Sequence, residues 1–100
     1  MVTVYTLAGC RTCKELLSRL NALLLPYRNV CADEEINEEL ADNLENLLNT
    51  TLYPIVHIAK PAVDIYLTAE AGEHYYFDNT KTIFVYRSVT HLVDLIKRNL

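Results

Sequence analysis

Glycine and proline are scarce in this chain, two and three residues respectively, while 51% of its 100 residues are hydrophobic. A disordered or low-complexity polypeptide is excluded by that composition, and 100 residues fill one ordinary core rather than two, so residues 1–100 are expected to form a single domain. Positive charge is also scarce: the net charge is −4 and the pI lies near 5.2. A nucleic-acid partner, which calls for a clustered basic face, is therefore not expected. No apolar run approaches the roughly 18 residues of a membrane span, and no basic stretch followed by a long apolar one opens the chain. A soluble, unexported protein without a membrane partner is expected. Three cysteines are an odd number and too few to staple a secreted scaffold. They suit a reducing compartment, here the cytoplasm, where a cysteine pair cycles instead of stapling.

What the chain does have is Cys10-Arg11-Thr12-Cys13, set between a short β-branched run over residues 2–5 and a helical repeat of Leu16, Leu17, Leu20, Leu23 and Leu24. Gly9 allows the turn between them. The pair thus stands where a strand hands over to a helix, and there the unpaired N–H groups of the first turn and the helix dipole favour a thiolate at Cys10. Arg11 and Lys14 add positive charge. Two intervening residues put the second cysteine one turn further in, close enough for a disulfide. Cys10 is then the nucleophile toward a substrate disulfide and Cys13 the resolving thiol. The same spacing serves half of a zinc site or a cluster ligand. Against a zinc site, the remaining Cys31, His57, His74 and His91 are isolated, so no metal site is expected.

Further along, Pro26 ends the first helix near Leu25, and residues 27–31 read as a short strand closing on Cys31. Cys31 reads as a small buried hydrophobe or, more sharply, as a third redox-active thiol. From residue 33 to about 49, Ile36, Leu40, Leu44, Leu47 and Leu48 keep a helical stripe. The other faces carry seven of the chain's thirteen acids: Asp33, Glu34, Glu35, Glu38, Glu39, Asp42 and Glu45. Such a run is a solvated face, and its functional reading is a surface that selects partners by charge. Residues 51–58 give a strand with a proline near its start. Three β segments follow over residues 62–68, 74–77 and 82–86, with turns at residues 70–72 and 78–79. Ser88 caps a last helix over residues 89–99, with Val89, Leu92, Val93 and Ile96 inward and Lys97 and Arg98 at its negative end. The fold class is α/β: a mixed sheet of about four strands flanked by three helices on both faces, its first pair parallel and its later strands antiparallel.

These residues resemble a glutaredoxin within the thioredoxin-like fold. The likeness rests on Val4-Tyr5-Thr6, Cys10-x-x-Cys13-Lys14, and Leu52-Tyr53-Pro54 before the strand Ile55-Val56-His57-Ile58, and it covers residues 2–58. It implies a thiol–disulfide oxidoreductase without a bound cofactor, and a cis Pro54 beside the cysteines. It also implies a substrate-binding surface made by Arg11, Thr12, Leu52, Tyr53 and Pro54. Substrates would be a disulfide-containing protein or a glutathione mixed disulfide, with a thiol reductant as partner, and the protein would act as a monomer. Four features depart from the family: Leu7 replaces a lysine, Arg11-Thr12 replaces Pro-Tyr, Leu52-Tyr53 replaces Thr-Val, and the Gly-Gly turn before the last helix is missing. Compact viral and phage glutaredoxin-like proteins show departures of this sort. Glutathione remains possible as a co-substrate, but weak glutathione recognition and a protein-type partner are expected.

Two other function classes fit the same residues. Cys10, with an added thiol, would hold a metal or iron–sulfur cluster between two chains, or the fold would serve as a non-catalytic interaction module. His57 reads as a core or sheet-face residue, His74 and His91 as surface residues, and the tyrosines as packing, apart from Tyr53, which the resemblance places beside the cis-proline, and Tyr5, which it places just ahead of the cysteine loop.

Overall fold

The computed structural model describes residues 1–69 and 80–100. The expected turns at residues 70–72 and 78–79 and the expected strand at residues 74–77 lie outside the described residues. Strand β1 (Val2–Thr6) leads into helix α1 (Arg11–Ala22), strand β2 (Arg28–Cys31), a 3-10 turn (Glu35–Asn37) and helix α2 (Glu38–Leu48). Strands β3 (Ile55–Ala59), β4 (Asp64–Thr68) and β5 (Lys81–Val85) follow, and helix α3 (Val89–Arg98) ends the order.

The described residues form one mixed sheet of five strands in the order β2-β1-β3-β4-β5, with β4 and β5 drawn from the β-rich stretch before the last helix. β1 pairs in parallel with β2, with Thr6 opposite Cys31, and antiparallel with β3, with Tyr5 opposite Ile55. β3 and β4 are antiparallel, as expected of the later strands, but β5 lies parallel to β4. Twelve positions separate Thr68 from Lys81, enough for the chain to return to the opposite end of the sheet before β5 begins.

Alternation along the strands builds two cores. Val2, Val4, Val56, Ile58, Ile65 and Leu67 point to one face, where Leu16 and Leu20 of α1 and Val89, Leu92, Val93 and Ile96 of α3 cover them. Tyr5, Ile55 and Ile83 point to the other face, under Leu44 and Leu48 of α2. The helices therefore lie on both faces, α1 and α3 on one and α2 on the other.

Several boundaries move for identifiable reasons. Helix α1 stops at Ala22 rather than near Leu25 because Leu24 takes a left-handed conformation (φ 55°). Leu25 N–H then bonds Leu20 O and Leu24 N–H bonds Asn21 O, the reciprocal pattern of a helix stop that usually uses glycine. Helix α2 begins at Glu38, five residues later than expected. The Asn37 side-chain amide donates to Cys31 O at 2.9 Å; Ile36, in the 3-10 turn, is 89% exposed and Leu40, in the first turn of α2, is 42% exposed, so neither belongs to the buried stripe. β3 starts after Pro54, leaving residues 51–54 outside the sheet. Cys31, expected to be buried, is only partly covered because β2 is an edge strand. No helix of the described residues is long and apolar enough to cross a membrane.

Candidate active site at one end of the sheet

The register brings four chain segments to the same end of the sheet. Thr6 ends β1, and its parallel partner Cys31 ends β2. Antiparallel β3 starts there at Ile55, directly after Pro54. β4 reaches the same end at Thr68, whose carbonyl accepts from Tyr86 N–H at 2.9 Å just ahead of α3.

The cysteines enter through a turn. Cys10 N–H donates to Leu7 O at 3.2 Å, and Gly9 sits at φ 75° in the third position, where glycine is favoured because it lacks a Cβ. A Cβ at Gly9 would meet open space, so backbone conformation and not crowding selects the glycine. Cys10 is the N-cap of α1, and its Sγ accepts from Cys13 N–H at 3.2 Å. Cys10 and Cys13 stand at disulfide distance with Cα atoms 5.3 Å apart. Cys10 is partly exposed whereas Cys13 is 2% exposed, so the outer sulfur meets a partner and the inner one meets Cys10. Arg11, Thr12 and Lys14 are exposed, and the first turn carries no acid.

The Tyr53–Pro54 bond is cis, as the resemblance implies. Pro54 is buried and its carbonyl accepts the Tyr86 hydroxyl at 2.6 Å, while Leu52 is 46% exposed with its N–H on Thr50 Oγ1. No hydrogen bond within the described residues occupies the backbone N–H or carbonyl of Tyr53. The Tyr53 phenol is pushed up to about 12, first by burial and then by Glu45, Asp42 and Asp33; its buried hydroxyl makes no bond of good geometry even to Glu45. Tyr5 lies in the core under α2, and burial likewise raises its phenol.

Beside the cysteine turn, Leu7 and Tyr53 open onto a cleft of about 420 Å³. Asp33, Glu34, Glu35, Glu38, Asp42 and Glu45 line it, with no lysine or arginine among its described lining residues. The acidic helix thus faces the site. At its rim, Asp33 accepts from Ala8 N–H with both oxygens, at 3.1 and 3.2 Å, and from the Cys31 thiol at 2.7 Å. The Cys31 bond first, and the Ala8 bond second, hold the Asp33 carboxyl below its usual range. In return, the bond to Asp33 raises the Cys31 thiol, with burial and the charges of Asp33 and Glu34 acting the same way.

Asp33 and Tyr86 are the site neighbours that sequence reasoning missed. Asp33 was hidden in the acidic run, though its place two residues after a strand-end cysteine was a usable signal. The histidines stay apart from the cysteines: His57 stacks on Tyr66 at 4.6 Å with Nε2 2.8 Å from Asp64, and His91 accepts from Arg87 N–H. His74 lies outside the described residues. Among the described residues, no three histidine, cysteine or acidic side chains gather as a metal site would require. Comparison with protein-family models, curated proteins and solved structures finds no match to this chain.

Proposed function

We propose that the protein is a small thiol–disulfide oxidoreductase of glutaredoxin type. The observation that carries this reading is the Cys10–Cys13 pair at the N-terminus of α1, with the outer sulfur reachable, the inner one buried, and Cys13 N–H directed at Cys10 Sγ. A thiolate at Cys10 gains that N–H, the positive end of α1 and the cations Arg11 and Lys14. It attacks one sulfur of a substrate disulfide, forms a mixed disulfide and releases the other sulfur as a thiolate. Cys13, losing its proton, attacks Cys10 Sγ; the intramolecular disulfide forms and the second substrate thiolate leaves. An external thiol reductant regenerates the dithiol by the reverse exchange.

The surroundings support a protein disulfide as substrate. The backbone groups of Tyr53, which no hydrogen bond among the described residues occupies, offer strand-like pairing to an extended segment, and exposed Leu52 offers it an apolar contact. The carboxylate-lined cleft attracts cationic flanking residues and repels anionic glutathione. Cys13→Ser tests the reading: mixed with a disulfide peptide, it accumulates a mixed disulfide on Cys10, identified by mass, while the unaltered protein proceeds to the Cys10–Cys13 disulfide. A variant that traps nothing at Cys10 contradicts the reading.

A further inference from the structure

We propose that Asp33 is a positioning residue for Cys10, fixing the turn that presents the nucleophile through its double contact with Ala8 N–H; this rests on the oxidoreductase reading. In the Leu7-Ala8-Gly9-Cys10 turn, Leu7 O accepts from Cys10 N–H, which leaves the Ala8 N–H pointing away without a partner inside the turn. Asp33 supplies that partner with both carboxylate oxygens, a charge-assisted bond.

The post to which the turn is tied is itself anchored. Ala32 N–H bonds Thr6 O at 2.7 Å, holding the main chain immediately before Asp33 against the end of β1. The Cys31 thiol bonds Asp33 Oδ1 and fixes the carboxylate's rotation. Thus β1 and the end of β2 grip both sides of the turn, and Cys10 is held as the N-cap with Cys13 N–H on its sulfur. The Asp33 charge works against a thiolate nearby, so its effect as a positioning group and its effect as a charge are opposite in sign. That opposition makes the role testable.

The experiment compares Asp33→Ala and Asp33→Asn with the unaltered protein. The readouts are the rate at which reduced Cys10 attacks a small uncharged disulfide and the hydrogen exchange of the Ala8 amide. Asn keeps a carbonyl acceptor for Ala8 and loses the charge; Ala loses both. The expected result is a rate about tenfold lower and a deprotected Ala8 amide in Asp33→Ala, whereas Asp33→Asn keeps the amide protected and attacks at least as fast as the unaltered protein. Equal or faster attack by Asp33→Ala, or an Ala8 amide that stays protected in it, overturns the proposal. Failure of the oxidoreductase reading looks different: the unaltered protein itself attacks no faster than a free thiol.

Discussion

The Tyr86 hydroxyl donates a 2.6 Å hydrogen bond to the Pro54 carbonyl oxygen, and both residues are buried. This contact ties the segment just ahead of β3 to the chain that enters α3. Tyr86 N–H also holds Thr68 O, so one residue joins β4, the Leu52-Tyr53-Pro54 segment and α3. Tyr86→Phe keeps the ring's packing and leaves the Pro54 carbonyl buried without its partner. The expected loss is about 1–3 kcal/mol of unfolding free energy, measured by denaturant titration.

The same residue sets a pH dependence. Burial raises the Tyr86 phenol above its ordinary value near 10, and Tyr53 is pushed up to about 12. The folded state then holds protons that the unfolded chain releases, so the stabilisation is complete below pH 10 and declines as pH rises above it. Alkaline titration of stability is expected to fall by up to about 1.4 kcal/mol per pH unit for each such tyrosine, and less steeply in Tyr86→Phe.

Much of this architecture is written in local pattern. The β-branched run before Gly9, the leucine repeat after Cys13 and the Ser88 cap mark β1, α1 and α3 because each element's own residues specify it. Ser88 does accept from His91 N–H, as an N-cap should. What pattern could not carry are relations set by distant partners. Ile36 and Leu40 keep helical spacing, yet a 3-10 turn over Glu35–Asn37 takes the place of the first expected turn and α2 starts at Glu38. Leu24 gives no glycine signal for its left-handed helix stop. The parallel pairing of β5 with β4 is a relation between two segments whose β signals read the same for either direction of pairing. Asp33 is one acid among seven until the register brings Ala8 and Cys31 to it.

Cys31, partly exposed, is expected to be a sluggish thiol. Its hydrogen bond to Asp33 favours the protonated form, so alkylation of the reduced protein near neutral pH modifies Cys10 well before Cys31. Asp33→Asn removes the charge that opposes the thiolate, and the pH profile for alkylation at Cys31 is expected to move to lower pH. An unchanged profile means Asp33 does not control this thiol.

Substrate charge gives a further prediction. Disulfide peptides flanked by lysine or arginine are expected to react faster than those flanked by glutamate, and the difference should shrink as salt rises from about 0.01 to 1 M. Replacing Glu35, Glu38 and Asp42 by Gln, Gln and Asn removes part of the acidic lining, so the preference should weaken with little change in the rate for an uncharged disulfide.

Whether the start of α1 activates Cys10 is read from the pKa of the Cys10 thiol, measured by the pH dependence of its alkylation in reduced Cys13→Ser. The N-cap position, the Cys13 N–H and the nearby cations predict a value within about 3.5–7.5. A thiol that titrates at or above the ~8.5 of free cysteine contradicts the account.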